Sequence, residues 1–206
     1  MPEAALLLVD LQNDFLPGGA LAVSDGDAVL DIANALIPRF THVVATQDWH
    51  PAGHESFASQ HAGHAVGDVI ELHGLTQVLW PDHCVQGSPG AAFAEPLRLG
   101  DAHIVPKGMD PRVDSYSGFF DNGKKNPSGL TGWLRDRGVE ELFVLGLATD
   151  YCVKFTALDA LEEGFRTTLV EDGCRGVELA AGDCKRALDA MREAGVSIAE
   201  SASLLR

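Results

Sequence analysis

The sequence predicts an α/β fold built on a parallel sheet, and two observations support this. Short apolar segments typical of strands alternate with longer segments in which apolar residues recur every three or four positions, the spacing of one helix face. The chain has 206 residues, 46% of them hydrophobic, and this length and composition suit one compact core. We therefore expect a single domain over residues 1–206.

Each predicted element can be located in turn. The strand segments are residues 4–9, 43–46, 104–105, 142–145, 168–170 and 196–199. The helical segments are residues 28–37, 130–137, 153–163 and 179–194, and the last three are followed by Gly138, Gly164 and Gly195, residues typical of helix ends. Because a crossover helix returns the chain to the same edge of a sheet, this alternation indicates parallel strands.

Two long segments interrupt the alternation, at residues 51–92 and 109–129. Both are rich in Gly, Pro, His, Ser and Asp. Loops of this length in a compact domain are usually either functional or disordered. We therefore expect them to cover the binding site.

Charge and hydropathy exclude several classes of function. A formal net charge of −15 opposes contact with a phosphate backbone, so we expect no nucleic-acid partner. The sequence contains no run of about 18 uninterrupted apolar residues, the pattern that would predict a membrane span. The sequence also enters a strand pattern directly after Met1, without the pattern of a cleavable signal. We expect a cytoplasmic protein that acts on a small molecule.

Polar residues follow the predicted strands at one edge of the sheet. They are Asp10, Asp48 with His50, Lys107 and residues 148–152. In open parallel sheets, ligands bind beyond the carboxyl ends of the strands. The sequence therefore predicts a site that combines carboxylates, an imidazole, an ammonium and a thiol.

Cys152, Lys107 and Asp10 form a plausible catalytic set. Cys152 is predicted in the first turn of a helix, where free N–H groups favour an anion, and Lys107 adds positive charge, so we expect a lowered thiol pKa. Asp10 could accept the thiol proton and return it to a leaving amine. Alternatively, Cys152 is simply a small buried residue, the commoner role of a single cysteine.

Asp48 and His50 are also candidate metal ligands. Their spacing of two places both side chains on one side of an extended segment. His83 is the preferred third ligand, and the competing histidines on the same loop are His54, His61, His64 and His73. A carboxylate with two imidazoles and open positions suits zinc, iron or manganese. Phe15, Trp80 and Tyr116 lie on segments that leave the same strand ends and could wall a flat apolar pocket.

Five segments, taken in order, resemble the nicotinamidase and pyrazinamidase branch of the isochorismatase-like hydrolases. They read LLLVDLQNDFLPGGAL, TQDWHPAGHESF, LWPDHCVQGSPGA, VPKGMDPRVDSYSGFFD and GLATDYCVKFTALDA. The resemblance extends over nearly the whole chain. It implies a three-layer α/β/α sandwich around a six-stranded, mainly parallel sheet.

The resemblance also implies roles for individual residues. Asp10 would be the general base and acid, Lys107 the thiolate stabiliser and Cys152 the nucleophile. The implied metal ligands are Asp48, His50 and His83, with His54 as a candidate fourth ligand and Ser56 reaching the metal through water. A cis peptide before Ala148 would turn the amides of Ala148 and Cys152 toward the substrate oxygen. The implied pocket wall consists of Phe15, Leu21, Trp80 and Tyr116.

The function implied by the resemblance is hydrolysis of nicotinamide to nicotinate and ammonia in NAD salvage, with pyrazinamide as a further substrate. The implied cofactor is one divalent metal ion, zinc first, with iron or manganese as alternatives. A related amidohydrolase acting on N-carbamoyl compounds or other small amides would use the same residues. Isochorismate hydrolysis is disfavoured because relatives with that activity lack the cysteine. A noncatalytic metal-binding or partner-binding module is the alternative from another class, and assembly into a homo-oligomer stays open.

Overall fold

Six parallel strands form the central sheet of the computed structural model, which describes residues 3–205. The strands of the chain are β1 (Glu3–Val9), β2 (His42–Asp48), β3 (Val69–Leu72), β4 (Leu75–Val78), β5 (His103–Lys107), β6 (Val139–Leu147), β7 (Arg166–Arg175) and β8 (Ser197–Ala199). The sheet has the order β5-β2-β1-β6-β7-β8, while β3 and β4 pair as a separate antiparallel hairpin.

Helices cover this sheet, and four of them lie in the connections between successive strands of the sheet, whereas the connection from β2 to β5 contains the β3–β4 hairpin. They are α1 (Ala28–Leu36), α2 (Leu130–Arg135), α3 (Lys154–Glu162), α4 (Asp183–Ala194) and α5 (Ser201–Leu204). Helices α1 and α5 contact each other and β7, whereas α3 contacts β7 and α4. The predicted three-layer α/β/α fold is confirmed. None of the helices in residues 3–205 is long and apolar enough to cross a membrane.

The core explains why the strands are so apolar. In β1, every residue from Ala5 to Val9 is buried. A strand at the centre of a parallel sheet is covered on both faces, so its sequence is a continuous apolar run and does not alternate. Sheet-facing residues of α1, such as Val29, Ala33 and Leu36, are fully buried in the same core.

The observed elements depart from the predicted ones in informative ways. β5 extends through Pro106 to Lys107, because β5 pairs only with β2 and an edge strand tolerates a residue without an N–H donor. α4 begins at Asp183, four residues later than predicted, and Leu179 is exposed. The hairpin of β3 and β4 lies within the segment 51–92 that the sequence presents as a loop.

Candidate active site and metal centre

Four neighbouring strands bring the predicted catalytic residues together. Lys107 ends β5 and Asp48 ends β2, and the two residues are paired in register. Asp10 directly follows β1, and Cys152 lies in the turn after β6. Because β5, β2, β1 and β6 are consecutive in the sheet, the four side chains meet at one edge. The geometry thus agrees with the rule that ligands bind at the carboxyl ends of parallel strands.

Lys107 lies at the centre of this group. Its Nζ is 2.9 Å from Asp10 Oδ2, 2.5 Å from Asp48 Oδ1 and 3.4 Å from Cys152 Sγ, and it donates to the carbonyl of Ser115 at 2.9 Å. Burial alone lowers the pKa of Lys107, but the two carboxylates outweigh it, and the net pKa lies well above the ordinary value. Lys107 is therefore an ammonium in the folded protein.

Asp10 is held by Thr46, a residue that the sequence did not single out. The Asp10 N–H donates to Thr46 Oγ1 at 3.1 Å, and the Thr46 hydroxyl donates to Asp10 Oδ1 at 2.6 Å. The other oxygen, Oδ2, is within ion-pair distance of Lys107 but lacks an aligned hydrogen-bond donor among the described residues. Burial raises the pKa of Asp10, and the charge of Asp48 raises it further, while Lys107 opposes both. These properties suit a proton acceptor.

Cys152 lies in a π-type turn, Thr149–Val153, that leads into α3. Burial raises the pKa of the Cys152 thiol well above its ordinary range, the charge of Lys107 lowers it, and the charges of Asp10 and Asp48 raise it again. The expectation of a lowered pKa is therefore wrong for the polypeptide without a metal ion, because burial and two carboxylates outweigh one ammonium. The thiol holds its proton at rest and needs a base such as Asp10.

The turn before Cys152 depends on a glycine. Gly146 has φ of +132°, and a Cβ at this position would lie 2.2 Å from the carbonyl oxygen of Val9 on the neighbouring strand. The next peptide, Leu147–Ala148, is cis, as the family resemblance implies. Ala148 and Cys152 both line the pocket described below.

Asp48, His50 and His83 form a group that fits a metal ion. Asp48 Oδ2 is 3.6 Å from His50 Nε2 and 3.7 Å from His83 Nε2. His50 Nδ1 lies 2.9 Å from the carbonyl of Gly108, and His83 Nδ1 lies 2.8 Å from the carbonyl of Pro81. Since carbonyls only accept, both Nδ1 atoms carry hydrogen, which leaves both Nε2 lone pairs free to bind a metal.

Two further observations support this fit. His50 Nε2 is buried without a hydrogen-bond partner among the described residues, so an ion would satisfy it. Gly108 lets the His50 ring pack against the backbone, because a Cβ at this position would lie 2.4 Å from His50 Cε1. Backbone hydrogen bonds from His50 to Cys84 and from Gln86 to His50 join the two loop segments that carry His50 and His83.

His54 and Ser56 lie beside this group without completing it. His54 Nδ1 is 2.8 Å from Ser56 Oγ and accepts from the Ser56 N–H at 3.1 Å. The His54 and His50 rings are 4.6 Å apart between centroids. The other loop histidines lie elsewhere: His61 contacts the Glu55 carbonyl, and the side chains of His64 and His73 are largely exposed.

A pocket with about 330 Å³ of empty space, its open mouth included, adjoins both groups. All four predicted wall residues line it: Phe15, Leu21, Trp80 and Tyr116. Asp48, His83 and Cys152 line it as well, so two of the candidate metal ligands and the thiol face one site of small-molecule size. Trp80 Nε1 donates to the Tyr116 hydroxyl at 3.2 Å, which fixes these two wall residues relative to each other.

Three lining residues were missed in the sequence: Asp114, Tyr151 and Val177. Tyr151 directly precedes the candidate nucleophile, and its ring lies 4.7 Å from that of Trp80. Its position next to Cys152 was the available signal. Asp114 and Val177 lie on separate loops whose approach to the pocket has no sequence signature.

Known proteins with similar sequences and structures agree on one family. A model of the isochorismatase domain matches residues 4–203. A nicotinamidase of Escherichia coli strain K12 is 53% identical over 203 residues, which cover 96% of this chain and 95% of the relative.

Two solved structures have a fold similar to that of this chain. A nicotinamidase/pyrazinamidase structure from Acinetobacter has a TM-score of 0.96 at 44% identity, covering 100% of this chain and 99% of that one. A pyrazinamidase of Pyrococcus horikoshii in complex with zinc has a TM-score of 0.80 at 39% identity, covering 97% and 99%. With the strand-end site and the fold in agreement, this chain belongs to the isochorismatase family.

Proposed function

We propose that this chain is a metal-dependent cysteine amidohydrolase that converts nicotinamide to nicotinate and ammonia. The observation that carries the proposal is the position of Lys107 Nζ, in contact with both Asp10 and Cys152. Cys152 lines a pocket that is also lined by Asp48 and His83, two members of the candidate metal-binding group. Nicotinamidases among the relatives described above support the substrate. Pyrazinamide, with a similar flat ring, is the expected second substrate.

In the first half of the reaction, Cys152 attacks the amide and Asp10 carries the thiol proton to the leaving amine. Cys152 Sγ attacks the carboxamide carbon while its proton passes to Asp10 Oδ2. Lys107 stabilises the developing thiolate by charge at 3.4 Å. The backbone amides of Ala148 and Cys152 are the proposed donors to the oxyanion. Asp10 then protonates the leaving amine, the C–N bond breaks, and ammonia leaves a thioester on Cys152.

In the second half, water cleaves the thioester. Its oxygen attacks the carbonyl carbon, Asp10 accepts a water proton, and the C–S bond breaks. The proton returns to Cys152, and nicotinate is released. The raised pKa of Asp10 suits a group that must both accept and donate a proton near neutral pH.

Asp48, His50 and His83 are the proposed ligands of one divalent metal ion. Zinc is the first candidate, supported by the zinc complex of the pyrazinamidase relative, and iron or manganese would suit the same donors. When bound, the ion supplies a Lewis acid that orients the pyridine ring through its nitrogen. The aromatic wall of Phe15, Trp80 and Tyr116 would hold the ring faces.

Several expectations stay predictions from the sequence. They are the single domain over residues 1–206, the cytoplasmic location and assembly into a homo-oligomer. Among residues 3–205, no contact favours N-carbamoyl compounds over nicotinamide. A noncatalytic module is the alternative that an assay decides directly.

The test is ammonia release from nicotinamide by the metal-loaded protein, with the metal identified by elemental analysis. We expect turnover by the parent and none by Cys152→Ala, which should keep its fold and metal content because the thiol supplies chemistry and little packing. Cys184→Ser is the matched control, and Cys84 and Cys174 should also tolerate replacement. Parent-like turnover in Cys152→Ala would refute covalent catalysis, and inactivity of the parent would favour a binding module.

A further inference from the structure

A second buried polar group adjoins the proposed metal ligands and has no role in the mechanism above. One ring nitrogen of His50, one of His54 and a carboxylate oxygen of Asp114 lie within 4.8 Å of one another. His54 is fully buried, and Asp114 is 3% exposed. The Nε2 atoms of both histidines have no hydrogen-bond partner among the described residues. Polar atoms buried in this way are normally satisfied by an ion or an ordered water.

The tautomer of His54 argues against direct metal binding. Its Nδ1 accepts from the Ser56 N–H, so in the neutral ring the hydrogen is on Nε2. The backbone carbonyl of Asp110 also faces this ring, although it lacks hydrogen-bond geometry with Nε2. A nitrogen that carries hydrogen donates to an oxygen and offers no lone pair to a metal. His50 and His83 have the opposite tautomer, with Nε2 free.

Asp114 is held in place to accept a hydrogen bond. Its Oδ1 accepts from the Ser115 N–H at 2.7 Å, and its Oδ2 accepts from Gln77 Nε2 at 3.1 Å. Gln77 belongs to β4, so the hairpin within the histidine-rich segment positions this carboxylate. Each carboxylate oxygen has a second lone pair for a further donor.

The spacing of the group is compatible with one shared water molecule. Because the three atoms lie within 4.8 Å of one another, one common point lies no more than about 2.8 Å from each of them, which is within hydrogen-bond reach of a shared water. A metal ion needs ligands at about 2.0–2.2 Å. Asp48, with its separations of 3.6 and 3.7 Å from His50 and His83, meets that requirement.

We propose that His54 and Asp114 hold an ordered water molecule beside the metal ligands, His54 donating to it through Nε2 and Asp114 accepting one of its hydrogens. The two residues are therefore positioning residues for the hydration of the metal centre and not ligands. This inference rests on the proposed metal site at Asp48, His50 and His83, and it does not depend on the identity of the amide substrate.

The first test uses Co²⁺ as the probe, because its visible absorption responds to the number and type of directly bound ligands. We expect His54→Gln loaded with Co²⁺ to keep the band positions of the parent, while His83→Ala changes them. A band shift in His54→Gln like that of His83→Ala would overturn the proposal by making His54 a ligand. This spectrum is independent of hydrolysis, so it separates the inference from failure of the proposed activity.

The second test is a double-mutant cycle on Zn²⁺ affinity, measured by competition with a chelator. His54→Gln and Asp114→Asn should each weaken binding by about tenfold to a hundredfold, as for residues that support a metal site without ligating it. If they share one water, the double variant should bind no more weakly than the more affected single variant. Additive losses, or no loss in either single variant, would overturn the proposal.

Controls keep both tests decisive. Asp114→Asn preserves the size of the side chain and an acceptor for the Ser115 N–H, and Asp101→Asn, at an exposed turn, makes the same change in charge outside the site. Asp101→Asn should bind Zn²⁺ like the parent. If Asp114→Asn does not fold, the Co²⁺ spectrum of His54→Gln still decides between a water partner and a ligand.

Discussion

Lys107 determines the charge balance of the site, because it is the ammonium between two buried carboxylates. Its Nζ contacts both Asp10 and Asp48, and all three side chains are nearly inaccessible to solvent. Removing one member of a buried ion pair leaves an uncompensated charge, which is far costlier than removing a surface charge. Replacing Lys107 should therefore lower the stability of the fold as well as the rate of catalysis.

We expect Lys107→Met to lose about 3–5 kcal/mol of unfolding free energy at pH 7. Because the pKa of Lys107 is raised in the folded state, its stabilising charge is fully present below about 10.5 and is lost only at higher pH. The loss in the variant should shrink as the pH falls, since protonation of Asp10 removes the uncompensated charge. Denaturant titration at several pH values measures this.

Lys185→Met is the control for Lys107→Met, since Lys185 pairs with Asp189 on the surface, where solvent screens the charges and the pair should contribute little to stability. Lys107→Met should also raise the pH at which Cys152 of the metal-free protein is alkylated, because the charge of Lys107 lowers the pKa of that thiol in the parent. An unchanged alkylation profile together with an unchanged rate of acyl-enzyme formation would make Lys107 a purely structural residue.

The sequence identifies residues whose chemistry and strand-end position coincide, and it misses those that act through contacts across the fold. Asp10, Lys107 and Cys152 each follow or end an apolar segment, so the parallel-sheet rule places them together. Thr46 points from β2 to Asp10, and Asp114 approaches His54 from the segment 109–129. Neither contact leaves a local pattern, because each depends on how two distant segments pack.

At the scale of elements, the close pairing of β1 with β6 at Val9 depends on Gly146. We expect Gly146→Ala to cost several kcal/mol of stability, because its Cβ would lie 2.2 Å from the Val9 carbonyl oxygen and φ of +132° is unfavourable for alanine. Gly132→Ala is the matched control. Gly132 lies within α2 with open space around its Cβ position, so alanine should stabilise by about 0.5–1 kcal/mol.

Thermal unfolding of the two glycine variants checks this prediction. Equal stabilities would show that β1 and β6 can move apart at Gly146 without cost.

The sequence predicts most of the strands and helices but not the residues at which they begin and end. The predicted strand ends at residue 105 because Pro106 usually ends a strand. In the structure, β5 continues to Lys107 because it is an edge strand, where proline is tolerated. The four-residue strands β3 and β4 were too short to give a clear alternation.

For the whole molecule, metal binding should contribute to folding stability. An ion that binds only the folded chain stabilises it by about 2.7 kcal/mol when free metal is a hundred times Kd. We expect removal of the metal by a chelator to lower Tm and to abolish hydrolysis, with both restored by Zn²⁺. His83→Ala should lose most of this metal-dependent rise in Tm.

His64→Ala is the control for His83→Ala, because the His64 side chain is largely exposed and pairs with Asp68 away from the pocket. It should bind metal as the parent does. Full metal occupancy in His83→Ala, with loss in His64→Ala, would contradict the ligand assignment. Size measurements of both forms would also show whether the protein assembles into an oligomer.

The reactive groups come from the ends of four adjacent strands, whereas most of the ring-binding wall comes from the connecting segments. Strand ends are fixed by the sheet, and loops accept substitution more readily than strands. Residues such as Leu21 and Tyr116 can therefore change which ring substituents fit without moving the sulfur relative to the ammonium. The substrate range of this protein is separable from its chemistry, so new amide specificities can be selected by mutating loops alone.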